Sequence, residues 1–450
     1  MHRVLCPVET LYVGQRSRAV LSCTLRGPVD LAALSAAFDA LTEANPPLRS
    51  RIEQDGGGHV LRVLGADERP RLITRTGDEE EAYAAELNRP LPVGGPLSRA
   101  VLVSAPDGRS HLFVLVIDHT VTDGHSSIAV HNSLWDRYRA LVEGTTDDIA
   151  APELPRWPEP VSRLLPPADE ADTAKYLDGR LEEIRRHPVE LVPYDAASGE
   201  GAGPDGHIEV RRLTLEADLT SRLRGTARAS GVSVHALIAA TLLVTARRRL
   251  AGDDGARTLG CLSPVDLRAR LTPPVPASDL VPAVTTHLQT LDVAARSEPL
   301  ELARAVHARL GDFLARGDHF HEMRITPEIP RNPALQLATV IATNMGVVPG
   351  PRLPDGLRAA DVRLVPAREH YFPQAGRSPV MACVVSFAGR LSIEFPHSTA
   401  CYSPSFMRAF RDEVRTGLLR FTDVVEPGLS PTPPADHRPF APPTPARPAV

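Results

Sequence analysis

Apolar positions along the chain recur with two alternating spacings. Residues 17–25 read as a strand closed by Gly27-Pro28. Leu31, Leu34, Phe38 and Leu41 then recur at helical spacing, with Asp30 near the N-cap. Residues 59–64 and 97–104 carry strand signals. Residues 111–118, HLFVLVID, form an apolar run expected of a buried strand. A short loop then leads into a helix over about 126–142. Further along, helices are predicted over 172–186, 218–229, 234–249, 300–314 and 404–421. Strands are predicted over 207–215, 258–263, 283–293, 335–343, 357–365, 380–387 and 391–395.

Three stretches interrupt the pattern. Residues 152–167, PELPRWPEPVSRLLPP, hold too many prolines for long regular structure and suggest a boundary. Residues 199–206, GEGAGPDG, have spaced glycines, but no strand precedes them and no helix opens on them, which argues against dinucleotide binding. From Glu426 the chain is proline-rich and poor in apolar residues, so 426–450 are expected to be a disordered tail. The expected organisation is an N-terminal lobe over 1–170, a C-terminal lobe over 171–425, and the tail. Both lobes mix strands and helices, which predicts an α/β (α+β) protein of mixed sheets, with a cleft between the lobes suited to small-molecule chemistry.

Composition narrows the function. With 450 residues, 42% hydrophobic and 23% charged, the chain can bury a full core. Its formal net charge of −5 argues against binding nucleic acid through phosphates. Lys175 is the one lysine, so arginine carries nearly all the basic charge. The five cysteines are scattered and form no CxxC pair, so neither a disulfide framework nor a zinc ribbon is expected. The first residues lack an apolar signal core, and the most apolar helical stretch, 237–246, is about half a membrane span. The expectation is a reduced, soluble, cytoplasmic protein with no membrane span.

The sharpest chemical signal is HTVTDG, His119 to Gly124, where the buried strand gives way to a helix. A histidine held there suits general-base work, because its ordinary pKa lies near neutrality. Asp123 is placed to fix the loop through an ion pair. Gly124 is expected to permit a backbone geometry that other residues resist. His125 abuts the motif and is read as capping the helix rather than lining a channel. The bland alternative is a strand end with a satisfied histidine and a capping aspartate.

Context favours the chemical reading. The motif resembles HHxxxDG of the condensation-domain superfamily, which includes nonribosomal peptide condensation domains, polyketide-associated acyltransferases and plant BAHD acyltransferases. Here Asp118 stands in place of the first histidine and His119 matches the second. ANPPLRSR (44–51), SPVDLRARL (263–271), RNPALQLATVIATN (331–344) with its extension TNMG (343–346), and GRLSIEF with the helix after it resemble further family segments in order. The resemblance covers about residues 6–422.

That resemblance implies two chloramphenicol-acetyltransferase-like lobes forming a V around a central tunnel, with His119 midway. It implies that C-terminal segments within about 358–395 cross to the first lobe. By the same resemblance, His119, Asp123 and Gly124 form the catalytic motif, Arg268 pairs with Asp123, and Gly124 or Asn344 helps hold the oxyanion. No bound cofactor or metal is implied. The implied donor is an acyl-CoA or phosphopantetheine-linked thioester, with an acyl carrier protein as partner, and the acceptor is a small-molecule alcohol or amine. The leading reading is a free-standing acyltransferase of specialised metabolism, forming esters rather than amides. The alternatives are a free-standing condensation enzyme joining carrier-bound partners, and a catalytically silent binding module.

Other residues carry less. His319, His321 and Glu322 resemble half a metal site without an HExxH motif. Cys261 and Cys383 sit in apolar strands and are expected to be inert.

Overall fold

A computed structural model of the protein describes residues 2–145, 157–195, 206–368 and 377–422. The expected tail, the glycine-rich stretch up to residue 205 and the start of the proline-rich stretch lie outside the described residues.

In the first part the elements run β1 (His2–Val4), α1 (Pro7–Gln15), β2 (Ser17–Arg26), α2 (Leu31–Ala44), β3 (Ser50–Asp55), β4 (Gly58–Val63), β5 (Leu72–Thr76), α3 (Glu79–Asn88), β6 (Ser98–Ser104), β7 (Ser110–Asp118) and α4 (Gly124–Glu143). They continue as α5 (Val161–Leu164), α6 (Glu170–Arg186), β8 (Val192–Pro193), β9 (Ile208–Leu215), α7 (Ala217–Ala229), α8 (Val234–Arg247), β10 (Arg257–Asp266) and β11 (Val284–Val293). The remainder are α9 (Pro299–Ala315), α10 (Asp318–Arg324), β12 (Val340–Val347), β13 (Arg358–Arg368), β14 (Arg377–Ser378), β15 (Val380–Phe387), β16 (Arg390–Ser398) and α11 (Pro404–Arg420).

Two mixed sheets dominate. One has the order β13-β2-β7-β6-β5 and the other β11-β10-β12-β15-β16-β9. In the first, only β5 and β6 run parallel; in the second, β12 runs parallel to both β10 and β15. The mixed α/β class expected from the sequence is the one observed.

The apolar run of β7 has a direct cause. Phe113, Leu115 and Ile117 pack with α2 and α4, around Phe38, Leu41, Leu134 and Trp135. Leu112, Val114 and Val116 pack on the other face with Tyr83 and Leu87 of α3 and with Cys383 of the second sheet. A strand covered on both sides has no polar face, so alternation disappears. In the second half, α8 is buried all round within the main core, which explains its uniform apolar composition. Among the described residues, no single helix is long and apolar enough to cross a membrane.

β13 comes from the second half of the chain yet pairs with β2 along its whole length, from Arg358 opposite Arg26 to Arg368 opposite Ser17. The sequence pattern predicts a strand here over 357–365, and the pairing extends it to Arg368. Conversely, the strand expected at 335–343 begins only at Val340, because Pro333–Gln336 form a 3-10 turn. Proline at the start of that turn cannot supply a ladder N–H.

One buried histidine gives the fold a pH dependence. Trp135 Nε1–H donates to His131 Nε2 at 2.9 Å, which requires a neutral ring. Burial lowers the His131 pKa to about 4, while its side-chain bond to Asn132 opposes that shift. Between about pH 6.5 and 4 the unfolded chain binds a proton that the folded chain refuses. Stability should therefore fall as pH falls through that window, by on the order of 3 kcal/mol for this group. His131→Phe should reduce the slope by this group's share, leaving the part due to His119, His235 and His287, which burial also lowers. Urea midpoints for both proteins at several pH values between 4 and 7 check this, and an unchanged slope counts against it.

Candidate active site

The end of β7 delivers His119 to a cavity of about 230 Å³ between the two sheets. His119 N–H donates to the Ser17 carbonyl at 2.8 Å, so the backbone here is still tied to β2. Tyr12 of α1 stacks on the imidazole, with ring centroids 4.2 Å apart and planes 14° apart. Burial lowers the His119 pKa to about 4, and the Arg368 guanidinium adds to the effect. The ring is therefore neutral at ordinary pH. Its Nδ1 has no hydrogen-bond partner among the described residues.

Asp118 and His119 diverge as consecutive residues of an extended strand do. Asp118 lines a separate cavity with Arg16 and Arg18, and its Oδ1 accepts from Thr120 N–H at 2.9 Å. Burial raises its pKa. The position where the motif differs from HHxxxDG thus lies off the His119 cavity.

Asp123 is fully engaged. Its Oδ1 accepts from Ser126 N–H at 2.8 Å and from Ser126 Oγ at 3.0 Å, closing a capping box at the N-terminus of α4. Its Oδ2 accepts from Arg268 Nε at 3.2 Å, from Arg268 Nη2 at 2.9 Å and from Ala283 N–H at 2.9 Å. Asp123 is 3% exposed and Arg268 4%, so this is a buried pair. The remaining Arg268 donors reach the carbonyls of Pro276, Asp279 and Val281. The expected pairing of Asp123 with Arg268 is present, across 145 residues of sequence.

Two expectations need correction. Gly124 is not among the glycines with a positive φ. It matters because a Cβ there would lie 2.6 Å from Met345 Sδ and 2.8 Å from Met345 Cε. The constraint is close approach between α4 and β12, not backbone geometry. His125 is not the cap, a role Asp123 fills, and instead it lines the cavity.

Asn344 also lines the cavity, and its Oδ1 accepts from Gly346 N–H at 2.9 Å. Leu262, Thr286, Leu364, Met381 and Cys383 complete much of the wall, so both sheets contribute. Burial drives the Cys383 pKa well up and that of Cys261 to about 12, so both thiols stay protonated. The residues of the half metal site are engaged elsewhere. Glu322 accepts from Tyr176 Oη at 2.7 Å and from Arg180 Nε at 3.3 Å, while His319 packs on Phe320.

Sequence reasoning missed Tyr12, Arg368 and Met345. Tyr12 carried a signal, because Val8, Leu11, Tyr12 and Gln15 follow helical i, i+3, i+4, i+7 spacing. Arg368 and Met345 carried none, being set by the crossing of β13 and the approach of β12.

This geometry can be set against known proteins. A family model described as the condensation domain matches residues 17–255, more than half of the chain. The chain belongs to the condensation-domain family. Residues 204–396 also match a model described as phthiocerol/phthiodiolone dimycocerosyl transferase C-terminus. The phthiocerol/phthiodiolone dimycocerosyl transferase of Mycobacterium bovis is 27% identical over 407 residues, covering 87% of this chain and 91% of that protein. Among solved structures, polyketide synthase associated protein 5 from Mycobacterium tuberculosis superposes with a TM-score of 0.69 at 24% identity, over 95% of this chain and 98% of that one. Trichothecene 15-O-acetyltransferase from Fusarium sporotrichioides gives 0.69 at 12% identity, over 93% and 95%. These structures share the fold, which is the chloramphenicol-acetyltransferase-like arrangement that the motif resemblance implied.

Removing either member of the Asp123–Arg268 pair should cost about 3–5 kcal/mol, because the other is left charged and buried. Asp123→Ala combined with Arg268→Ala should cost little more than either alone. Additive losses in a double-mutant cycle by chemical denaturation would show that the two residues act independently. For Gly124→Ala, the added methyl should displace Met345 toward the cavity and raise KM for the substrate. Met345→Ala in the same chain should restore it, and no rescue would place the clash elsewhere.

Proposed function

We propose that the protein is an acyltransferase that moves an acyl group from a thioester to a hydroxyl, with His119 as general base. The observation that carries this reading is a neutral, ring-clamped histidine in a cavity that both sheets build. The match of residues 204–396 to a dimycocerosyl transferase model supports ester formation over amide formation. The intact His119 and Asp123 speak against a silent binding module.

The steps are set by the residues. His119 takes the proton of the acceptor hydroxyl as its oxygen attacks the thioester carbonyl. The tetrahedral oxyanion is held by the Asn344 amide and by the N-terminal end of α4 at Gly124. The thiolate then leaves and recovers the proton from the imidazolium. Tyr12 and the backbone tie to Ser17 keep the ring in position. Asp123 is a positioning residue, since its carboxylate oxygens are already occupied by structural bonds. No acyl-enzyme forms, and protonated Cys383 is no competing nucleophile.

The donor is an acyl-CoA or an acyl carrier protein thioester, and the acceptor is a small-molecule alcohol. Five unpaired, buried cysteines support a reducing compartment. Comparing kcat/KM for one acyl group presented on each donor distinguishes CoA from carrier.

His119→Ala should lower kcat by about 10²–10⁴ with little change in melting temperature. Because the base must be unprotonated, kcat/KM should stay level above about pH 5 and fall as pH drops through about 4. An ordinary histidine would already lose activity near pH 6.5. Intact-mass measurement with donor alone should show no acylated protein. Unchanged turnover in His119→Ala, or a stable acyl adduct, would overturn the mechanism.

A further inference from the structure

The His119 cavity adjoins a side cavity of about 40 Å³ beside β14, β15 and β16. Ile341, Pro366, Arg368, Pro379 and Met381 line both. Arg368 thus stands at the junction.

Strand register puts it there. Arg368 lies opposite Ser17 at the end of β13, and on the other side of β2 the Ser17 carbonyl accepts from His119 N–H. The backbones of Arg368 and His119 are therefore two strand spacings apart, roughly 10 Å. Tyr12, His119 and Cys383 line the same cavity. Burial is the main cause of their shifted pKa values, and the Arg368 charge acts on all three. A charge felt by all three sits at the cavity wall.

The guanidinium has no counterion. Elsewhere Arg268 is paired with Asp123, Arg363 with Glu394 and Arg99 with Glu86. Arg368 makes no ion pair and no side-chain hydrogen bond among the described residues, and its Nε is buried. Nη1 and Nη2 are equally unbonded but keep accessible surface. A half-buried guanidinium in this state loses hydration without compensation, and an anion would supply it.

The surroundings favour one kind of anion. Among the described residues, Arg368 is the one Lys or Arg that lines either cavity, and no Asp or Glu lines the side cavity. Burial lowers the His397 pKa and raises those of Cys401 and Tyr402, so these lining groups are neutral at ordinary pH. In the main cavity Asp123 is held by Arg268. Asp266 lies beyond Leu262 on β10, and Leu262 is level with Ile341 and Met381. Asp266 is thus displaced from the junction by roughly 13 Å of strand. The side cavity has room for roughly three water-sized atoms, which is the size of a carboxylate. A phosphate is larger, and in a phosphopantetheine donor it lies a full arm's length from the thioester. Leu262, Ile341, Leu364 and Met381 suit an aliphatic body next to that carboxylate.

We propose that Arg368 is the specificity-determining residue of the His119 site and binds a carboxylate carried by one of the two substrates at the side cavity. This role rests on acyl transfer at His119. The carboxylate belongs either to a hydroxy-acid acceptor or to a dicarboxylic acyl group.

The test is calorimetric titration of the full chain, read without turnover. The acceptor probes are ω-hydroxybutanoate, ω-hydroxyhexanoate and ω-hydroxyoctanoate, each against its carboxamide. The acyl probes are succinyl- and adipoyl-pantetheine, against butyryl- and hexanoyl-pantetheine. At least one carboxylate should bind about tenfold or more tighter than its uncharged counterpart, as expected of a charge-assisted bond. Preference among the hydroxy acids assigns the carboxylate to the acceptor, and preference among the pantetheine thioesters assigns it to the acyl group. Arg368→Gln and Arg368→Met should each erase the preference, Arg368→Lys should keep part of it, and His119→Ala should keep it. Both uncharged variants should melt at or above the wild-type temperature, because no bond is lost. The proposal is overturned if no carboxylate is preferred, if the preference survives both uncharged variants, if inorganic phosphate competes as well as the carboxylate does, or if both variants melt clearly lower. Such results would leave acyl transfer itself standing, since turnover in His119→Ala judges that separately.

Discussion

The carboxylate of Asp123 accepts five hydrogen bonds, and the geometry around His119 depends on them. Two come from Ser126 and set the start of α4. Three come from Arg268 and Ala283, far along the chain, and hold the segment that joins β10 to β11. Asp123 thus ties together the helix after His119 and the strands that form the opposite wall. A charge buried this deeply is tolerable only when fully paired. Arg268 meets the same condition by donating to three backbone carbonyls as well. The pair contributes alignment more than net stability, since desolvation offsets much of its attraction.

A second constraint is the crossing of β13. By pairing with β2 it places Leu364 and Arg368 in the cavity wall beside His119. Arg363 on the same strand bonds to Glu394 of β16 in the other sheet, at 3.0 and 3.1 Å, and its guanidinium lies 3.8 Å from the Tyr83 ring centroid. One strand therefore joins both sheets through backbone and side chain together. Met345 against Gly124 adds a steric contact at the same junction. The neutral state of His119 is a product of this closure. Burial is the main cause of its low pKa, and the nearby Arg368 is brought there by the crossing strand.

The amino-acid sequence by itself determined the mixed class, most elements with strong periodicity, and the HxxxDG motif at a strand-to-helix junction. It also marked Arg268 and Asn344, through ordered resemblance rather than local pattern. These features were legible because burial on one or two faces writes a local spacing, and a capping aspartate writes a fixed offset. Only the tertiary structure decided that Gly124 answers to Met345, that His125 faces the cavity, and that Asp118 points away from it. The same holds for Tyr12 stacked on His119. Those facts depend on side chains brought together from distant segments, as when β12 sets Met345 against Gly124. Local spacing reports which face of an element is covered, and carries no record of what covers it.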